Sequence, residues 1–96
     1  MFVLVTYDVA TIDKPGRGRL RRIARACLDW GQRVQFSVFE LELEKAQWVA
    51  LRARMLAILD SEQDSIRFYV LDADVQSKVE HHGVRRPRDL RGPLIA

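Results

Sequence analysis

A single carboxylate, Asp8, closes the most apolar stretch of the chain, Phe2-Val3-Leu4-Val5-Thr6-Tyr7-Asp8-Val9. A carboxylate at the end of a strand caps a turn, pairs with a cation or ligates a metal. One carboxylate alone is a poor site for Mg²⁺, which takes one or two carboxylates together with waters and phosphate oxygens. A second copy of Asp8 across a two-fold axis would complete such a site. Two close carboxylates repel each other, and a divalent ion relieves the repulsion. Metal binding at Asp8 is thus conditional on a dimer.

The second chemical feature is basic. Residues 14 to 33 hold seven cations (Lys14, Arg17, Arg19, Arg21, Arg22, Arg25, Arg33) against one acid, Asp29, a local charge of +6 in a chain whose net charge is +3. Six of the seven are arginine, whose planar fork suits phosphate. A polyanionic partner and a merely solvated helix face both account for this run. Gly16-Arg17-Gly18-Arg19 falls at an expected helix start, where glycines let backbone N–H groups approach a phosphate. It contains no Walker pattern, and a dinucleotide fingerprint would need a third glycine where Arg21 stands.

Other reactive side chains carry less. His81 and His82 are adjacent, so in a strand they point to opposite faces, and no Cys or acidic cluster stands near them at ligand spacing. Cys27 falls on an apolar helix stripe and reads as a core thiol. Tyr7 reads as a sheet-face or core residue whose hydroxyl could reach a phosphate. No Ser-His-Asp pattern is present.

The elements that must position these groups follow from periodicity. The first strand is apolar enough to be buried on both faces, in the middle of a sheet. Val9 to Gly16 reads as a loop. A helix is expected from about Arg17 to Trp30, with Leu20, Ile23, Ala24, Cys27 and Leu28 inward, Arg21, Arg22 and Arg25 outward, and Gly31 as terminator. From residue 33 to 44 apolar residues alternate, but the phase slips between Val38 and Phe39, which leaves one bulged strand or two short strands open. A second helix runs from Glu44 or Lys45 to about Leu59 on Trp48, Leu51, Met55, Ile58 and Leu59. Ser65 to Leu71 alternates as a strand. Val75 to His82 is consistent with a short edge strand, and residues 84–96 read as an extended tail after a domain of residues 1–83.

At 96 residues the chain has room for one core, and 48% hydrophobic with 30% charged residues is a globular balance. No apolar stretch could span a bilayer. The strand begins at Phe2 with no leader before it, and a lone cysteine makes no internal disulfide, so the expected compartment is the cytoplasm. The order β-α-β(β)-α-β matches the split arrangement of an α+β, ferredoxin-like fold, with two helices on one face of an antiparallel sheet. Its other face would invite a second copy.

Three stretches in order, Tyr7-Asp8-Val9 at the end of the opening strand, Arg33-Val34-Gln35-Phe36-Ser37-Val38-Phe39-Glu40, and Asp64-Ser65-Ile66-Arg67-Phe68-Tyr69, with Arg17-Gly18-Arg19-Leu20 between the first two, resemble CRISPR-associated protein 2. The resemblance covers about residues 1 to 83. It implies a ferredoxin-like homodimer, two strands meeting at a sharp bend near Val38, and a C-terminal strand, at about Lys78 to His82, added to the partner's sheet. It implies a metal-binding aspartate at Asp8, and implicated positions at Tyr7, Arg17, Arg19, Arg33 and Phe39. The implied reaction is Mg²⁺-dependent phosphodiester hydrolysis in RNA or DNA. The implied role is spacer acquisition, with the dimer bridging the integrase CRISPR-associated protein 1 along duplex DNA. Departures from the family pattern are Leu41, where a small residue is common, two extra residues between Asp8 and Arg17, and the tail.

Three functions compete. A nuclease would use Asp8 from two chains, with Arg17, Arg19 and Arg33 on the phosphate. An adaptor would hold duplex DNA through phosphates, with Arg17, Arg19, Arg21, Arg22 and Arg25 as contacts. A single-strand RNA module of the RNA-recognition type would stack bases on a central strand, but Glu40 and Glu42 would repel RNA there.

Overall fold

The computed structural model describes residues 1–84. The elements are β1 (Phe2–Asp8), α1 (Lys14–Leu28), β2 (Gly31–Gln35), β3 (Val38–Glu42), α2 (Lys45–Ile58) and β4 (Ser65–Leu71), followed by a short 3₁₀ segment over Ala73–Lys78. The four strands form one antiparallel sheet in the order β2-β3-β1-β4. This is the ferredoxin-like arrangement expected from the order of the elements.

The core lies between one face of the sheet and the two helices. Val3, Val5 and Tyr7 of β1 and Phe39 and Leu41 of β3 meet Ile23, Ala26 and Cys27 of α1 and Trp48, Leu51 and Met55 of α2. The Trp48 and Phe68 rings meet edge to face at 4.9 Å. Period-two alternation sends the other half of β1 to the opposite side. There Phe2, Leu4 and Thr6 are half-buried by their strand neighbours and Asp8 is exposed. The expectation of burial on both faces is corrected accordingly. β1 is central in the sheet, but both helices cover the same face. The uncovered face carries Leu4 between Glu40 and Tyr69, and Phe2 between Glu42 and Leu71.

The phase slip resolves as a hairpin. Gln35 pairs with Val38, leaving Phe36 and Ser37 as the connection. Two-residue hairpins favour turns with positive φ, which match the strand twist, yet no described non-glycine residue has one. The register instead shifts between Arg33 and Gln35, so Val34 is an extra residue in β2. A bulge of this kind bends and twists the strand and supplies what the turn does not.

Three further expectations are corrected. α1 begins at Lys14, three residues early, because Asp13 caps it by accepting a hydrogen bond from the Gly16 N–H at 2.9 Å, and Pro15 fits the first turn. Gly31 does not terminate the helix, which ends at Leu28 with Asp29 in ordinary right-handed geometry. Gly31 opens β2, and a Cβ there would lie 2.1 Å from the Glu40 carbonyl oxygen and 2.8 Å from the Leu41 Cα. The expected C-terminal strand is not formed. Residues 73–78 wind into the 3₁₀ segment, with Ser77 Oγ donating to the Asp74 carbonyl at 2.7 Å and Lys78 3.3 Å from Asp74. A strand there needs a sheet edge to pair with, and the edge that the resemblance implies belongs to another chain. The tail beyond Val84 lies outside the described residues.

The close approach at Gly31 generates a prediction. Gly31→Ala forces two strands apart and should lower unfolding free energy by about 1–3 kcal/mol. A urea titration at an unchanged midpoint would contradict this account of the glycine.

Candidate functional site

Asp8 is the last residue of β1, opposite Ser65, with its side chain exposed on the uncovered face. No ion pair holds it among the described residues. Nor do those residues include a group of three or more His, Cys, Asp or Glu side chains arranged to hold a metal. One chain therefore offers Mg²⁺ a single free carboxylate, which does not suffice, and the fit depends on a second copy.

The loop that leaves Asp8 is fixed from beneath by Asp64. This buried carboxylate accepts four hydrogen bonds. Arg19 Nε donates at 2.7 Å and Arg19 Nη2 at 3.3 Å; the Ala10 amide donates at 3.0 Å and the Asp60 amide at 3.0 Å. The Arg19 hydrogen bond, above all, holds the Asp64 carboxyl below the usual carboxylate range; burial opposes it, and the two amides add to the lowering. Three segments are thereby joined: the loop two residues past Asp8, the second turn of α1, and the turn between α2 and β4. Gly16 packs against the same loop, where a Cβ would lie 1.9 Å from the Ala10 carbonyl oxygen. Its N–H is already taken by Asp13.

These contacts reassign part of the expected site. Arg19 is buried and committed to Asp64, so it is not presented to a phosphate. Gly16, the first glycine of the Gly16-Arg17-Gly18-Arg19 stretch, serves close packing rather than an open anion cradle. Arg17 is exposed, its Nη1 3.5 Å from the Thr11 carbonyl and 3.4 Å from that of Ile12, above the loop that follows Asp8.

Tyr7, Arg33 and Phe39 lie on the other side of the sheet. Tyr7 and Asp8 are consecutive in one strand, so their side chains point to opposite faces. The Tyr7 and Phe39 rings stack with centroids 6.1 Å apart. The Arg33 guanidinium sits 5.0 Å from the centroid of Phe39 and 5.6 Å from that of Phe36. Burial pushes the Tyr7 phenol up to about 12, with Cys27 adding to the rise and Arg33 opposing it. Burial likewise pushes the Cys27 thiol up to about 12, which leaves it inert. The Tyr7 hydroxyl and Arg33 Nε are both buried without a hydrogen-bond partner. Phe39 is fully buried. The structure thus groups Tyr7, Arg33 and Phe39 together, but not around Asp8.

Arg21, Arg22 and Arg25 are exposed on α1, as their positions in the helix repeat required, and they border a groove with Arg54 of α2. His82 pairs with Glu80, and His81 lies 3.0 Å from the Val84 carbonyl oxygen. Sequence reasoning missed Asp64, which looked like one more polar residue of the Asp60–Asp64 connection. Its only signal is its place immediately before a strand, within a stretch that carries the family resemblance.

The model of the family described as CRISPR associated protein Cas2 matches residues 1–79. This chain belongs to that family. It is 57% identical over 95 residues to a protein of Chlorobaculum tepidum named CRISPR-associated endoribonuclease Cas2, covering 99% of each chain. It is 45% identical over 95 residues to one of Halalkalibacterium halodurans named CRISPR-associated endonuclease Cas2, again covering 99% of each. Among solved structures, Streptococcus pyogenes Cas2 superposes with a TM-score of 0.77 at 51% identity, over 86% of this chain and 100% of that one. Within this Cas2 chain no described helix is long and apolar enough to cross a membrane.

The Asp64 network generates a pH prediction. Its folded pKa is lowered, so its contribution to stability is present above the ordinary carboxylate pKa and is lost as pH falls through the folded value. Asp64→Asn should lower the urea midpoint at neutral pH more than Asp29→Asn, which breaks an exposed pair, and should flatten the acid limb of the stability curve. Equal small effects of the two substitutions would contradict the network.

Proposed function

We propose that this Cas2 chain acts in CRISPR adaptation (spacer acquisition) as a two-fold homodimer, in which two Asp8 carboxylates hold Mg²⁺ for phosphodiester hydrolysis in RNA or DNA. The observation that supports this most is the exposed Asp8 at the end of the central strand, unpaired among the described residues and on the sheet face that no described helix covers. That face presents Phe2, Leu4 and Leu71, and Tyr69 at 40% exposed, beside Asp8. Packing it against a second copy removes apolar surface from water and brings a second carboxylate into play. An ion held there by the two Asp8 carboxylates would polarise the phosphate and lower the pKa of a bound water. Arg17, exposed over the neighbouring loop, would hold the scissile backbone. The relatives' names divide between endoribonuclease and endonuclease, so both polymers belong in the assay.

A second reading has its own support. Arg21, Arg22 and Arg25 lie on the helix layer, across the sheet from Asp8. This favours a non-catalytic adaptor that holds double-stranded DNA by its phosphates and bridges copies of the integrase CRISPR-associated protein 1. The two readings use different faces and can operate in one protein.

Asp8→Asn should abolish Mg²⁺-dependent cleavage of RNA and DNA in a nuclease-free preparation while the dimer persists. Undiminished cleavage would overturn the catalytic reading, and loss of spacer acquisition in a folded, integrase-binding Asp8→Asn protein would count against the adaptor. Leu4→Arg, in the middle of the uncovered face, should convert dimer to monomer in analytical ultracentrifugation. A dimer of unchanged affinity would place the interface elsewhere.

A further inference from the structure

The helix layer carries a groove that hydrolysis at Asp8 does not use. It is bordered by Arg21, Arg22 and Arg25 of α1 and by Arg54, Ala57 and Ile58 of α2. None of the three α1 arginines is in an ion pair among the described residues. Arg54 is paired: its Nη1 lies 2.9 Å from Asp29 Oδ2, with both side chains a little under half exposed. Asp29 is the only acid between residues 14 and 33. It therefore neutralises the one groove cation that comes from the other helix.

Four guanidiniums around one open groove repel each other, and an anion brought among them relieves that repulsion. The spread over two helices suits an extended string of anions rather than a single one. Among the described residues no aromatic side chain borders the groove, and single-stranded nucleic acid relies on aromatic faces for its stacking. A duplex is held by its phosphates and needs no such platform.

We propose that this groove binds the phosphate backbone of a nucleic-acid duplex, that Arg54 of α2 is a contact within it, and that Asp29 competes with phosphate for Arg54. The proposal rests on the adaptor reading and deepens it, adding a second helix to the contact surface and an internal competitor that sets its strength. Exchange of one oxygen ligand for another is inexpensive here, because an exposed pair of this kind contributes little to folding.

The test is duplex binding by the full-length protein, followed by fluorescence anisotropy over a salt series, with double-stranded DNA, double-stranded RNA and single-stranded DNA of one sequence. Arg54→Ala should weaken duplex binding by about threefold to tenfold and reduce the slope of log affinity against log salt by about one. Arg54→Lys should restore most of that slope. Asp29→Asn should tighten binding several-fold, and the gain should vanish when Arg54→Ala is also present. If Asp29→Asn tightens binding equally in both backgrounds, the effect is general charge and the competition is overturned. Binding to the duplexes that ignores Arg54→Ala and a combined Arg21→Ala, Arg25→Ala variant would overturn the groove alone. Single strands bound as tightly as duplexes would overturn the duplex assignment. Absence of any duplex binding by the unaltered protein would overturn the adaptor reading and this proposal with it.

Discussion

The buried carboxylate of Asp64 is the contact on which the geometry of the candidate site depends. An ion pair taken out of water is costly unless its remaining lone pairs are satisfied. Asp64 meets that condition with two N–H groups of Arg19 and two backbone amides. Those four bonds join α1, the loop after Asp8 and the turn before β4, segments that share no regular hydrogen-bond ladder. The closeness of Gly16 to the Ala10 carbonyl and the Asp13 cap then fix how the chain turns from strand to helix. Asp8 itself has no ion-pair partner among the described residues; its place is set by the pairing of β1 with β4 opposite Ser65 and by the loop that follows it.

Strand alternation divides the remaining groups. Tyr7 goes inward to Phe39, and Arg33 lies over the same ring. Asp8 goes outward, to the uncovered face. Arg21, Arg22 and Arg25 of α1 are exposed on the helix layer, away from that face. Tyr7, Arg33 and Phe39 therefore pack with one another on the face opposite Asp8, and the arginine groove lies on a different surface. A dimer formed through the uncovered sheet face would leave the helix layer free, so the proposed hydrolysis and the proposed duplex binding would not compete for space.

Much of this was legible in the residues themselves. The stripe of Ile23 and Cys27, the stripe of Trp48, Leu51 and Met55, and the alternation of Ile66 and Phe68 each found the layer that their spacing demanded. The phase slip at Val38 marked a real reversal, although no turn residue announced it, because the bulge at Val34 does the work usually given to glycine or asparagine. The opposite orientation of Tyr7 and Asp8 was also available from period two alone. What spacing could not supply was the partner of Arg19. An arginine in a basic run looks the same whether it faces solvent or an aspartate forty-five residues away, and that choice is made by tertiary packing. The segment after β4 forms a 3₁₀ turn in the single chain, and the strand that the resemblance implies there would pair with a second chain. A strand is defined by its neighbour, and the sequence of one chain contains no neighbour for it.

Whether two Asp8 side chains act as one site is addressed most directly by the stoichiometry of metal binding. Mn²⁺, whose oxygen preference resembles that of Mg²⁺, can be titrated into the dimer and counted by electron paramagnetic resonance. The expected result is one ion per two chains, lost entirely in Asp8→Asn. One ion per chain, or binding that survives Asp8→Asn, would contradict a site shared across the two-fold axis.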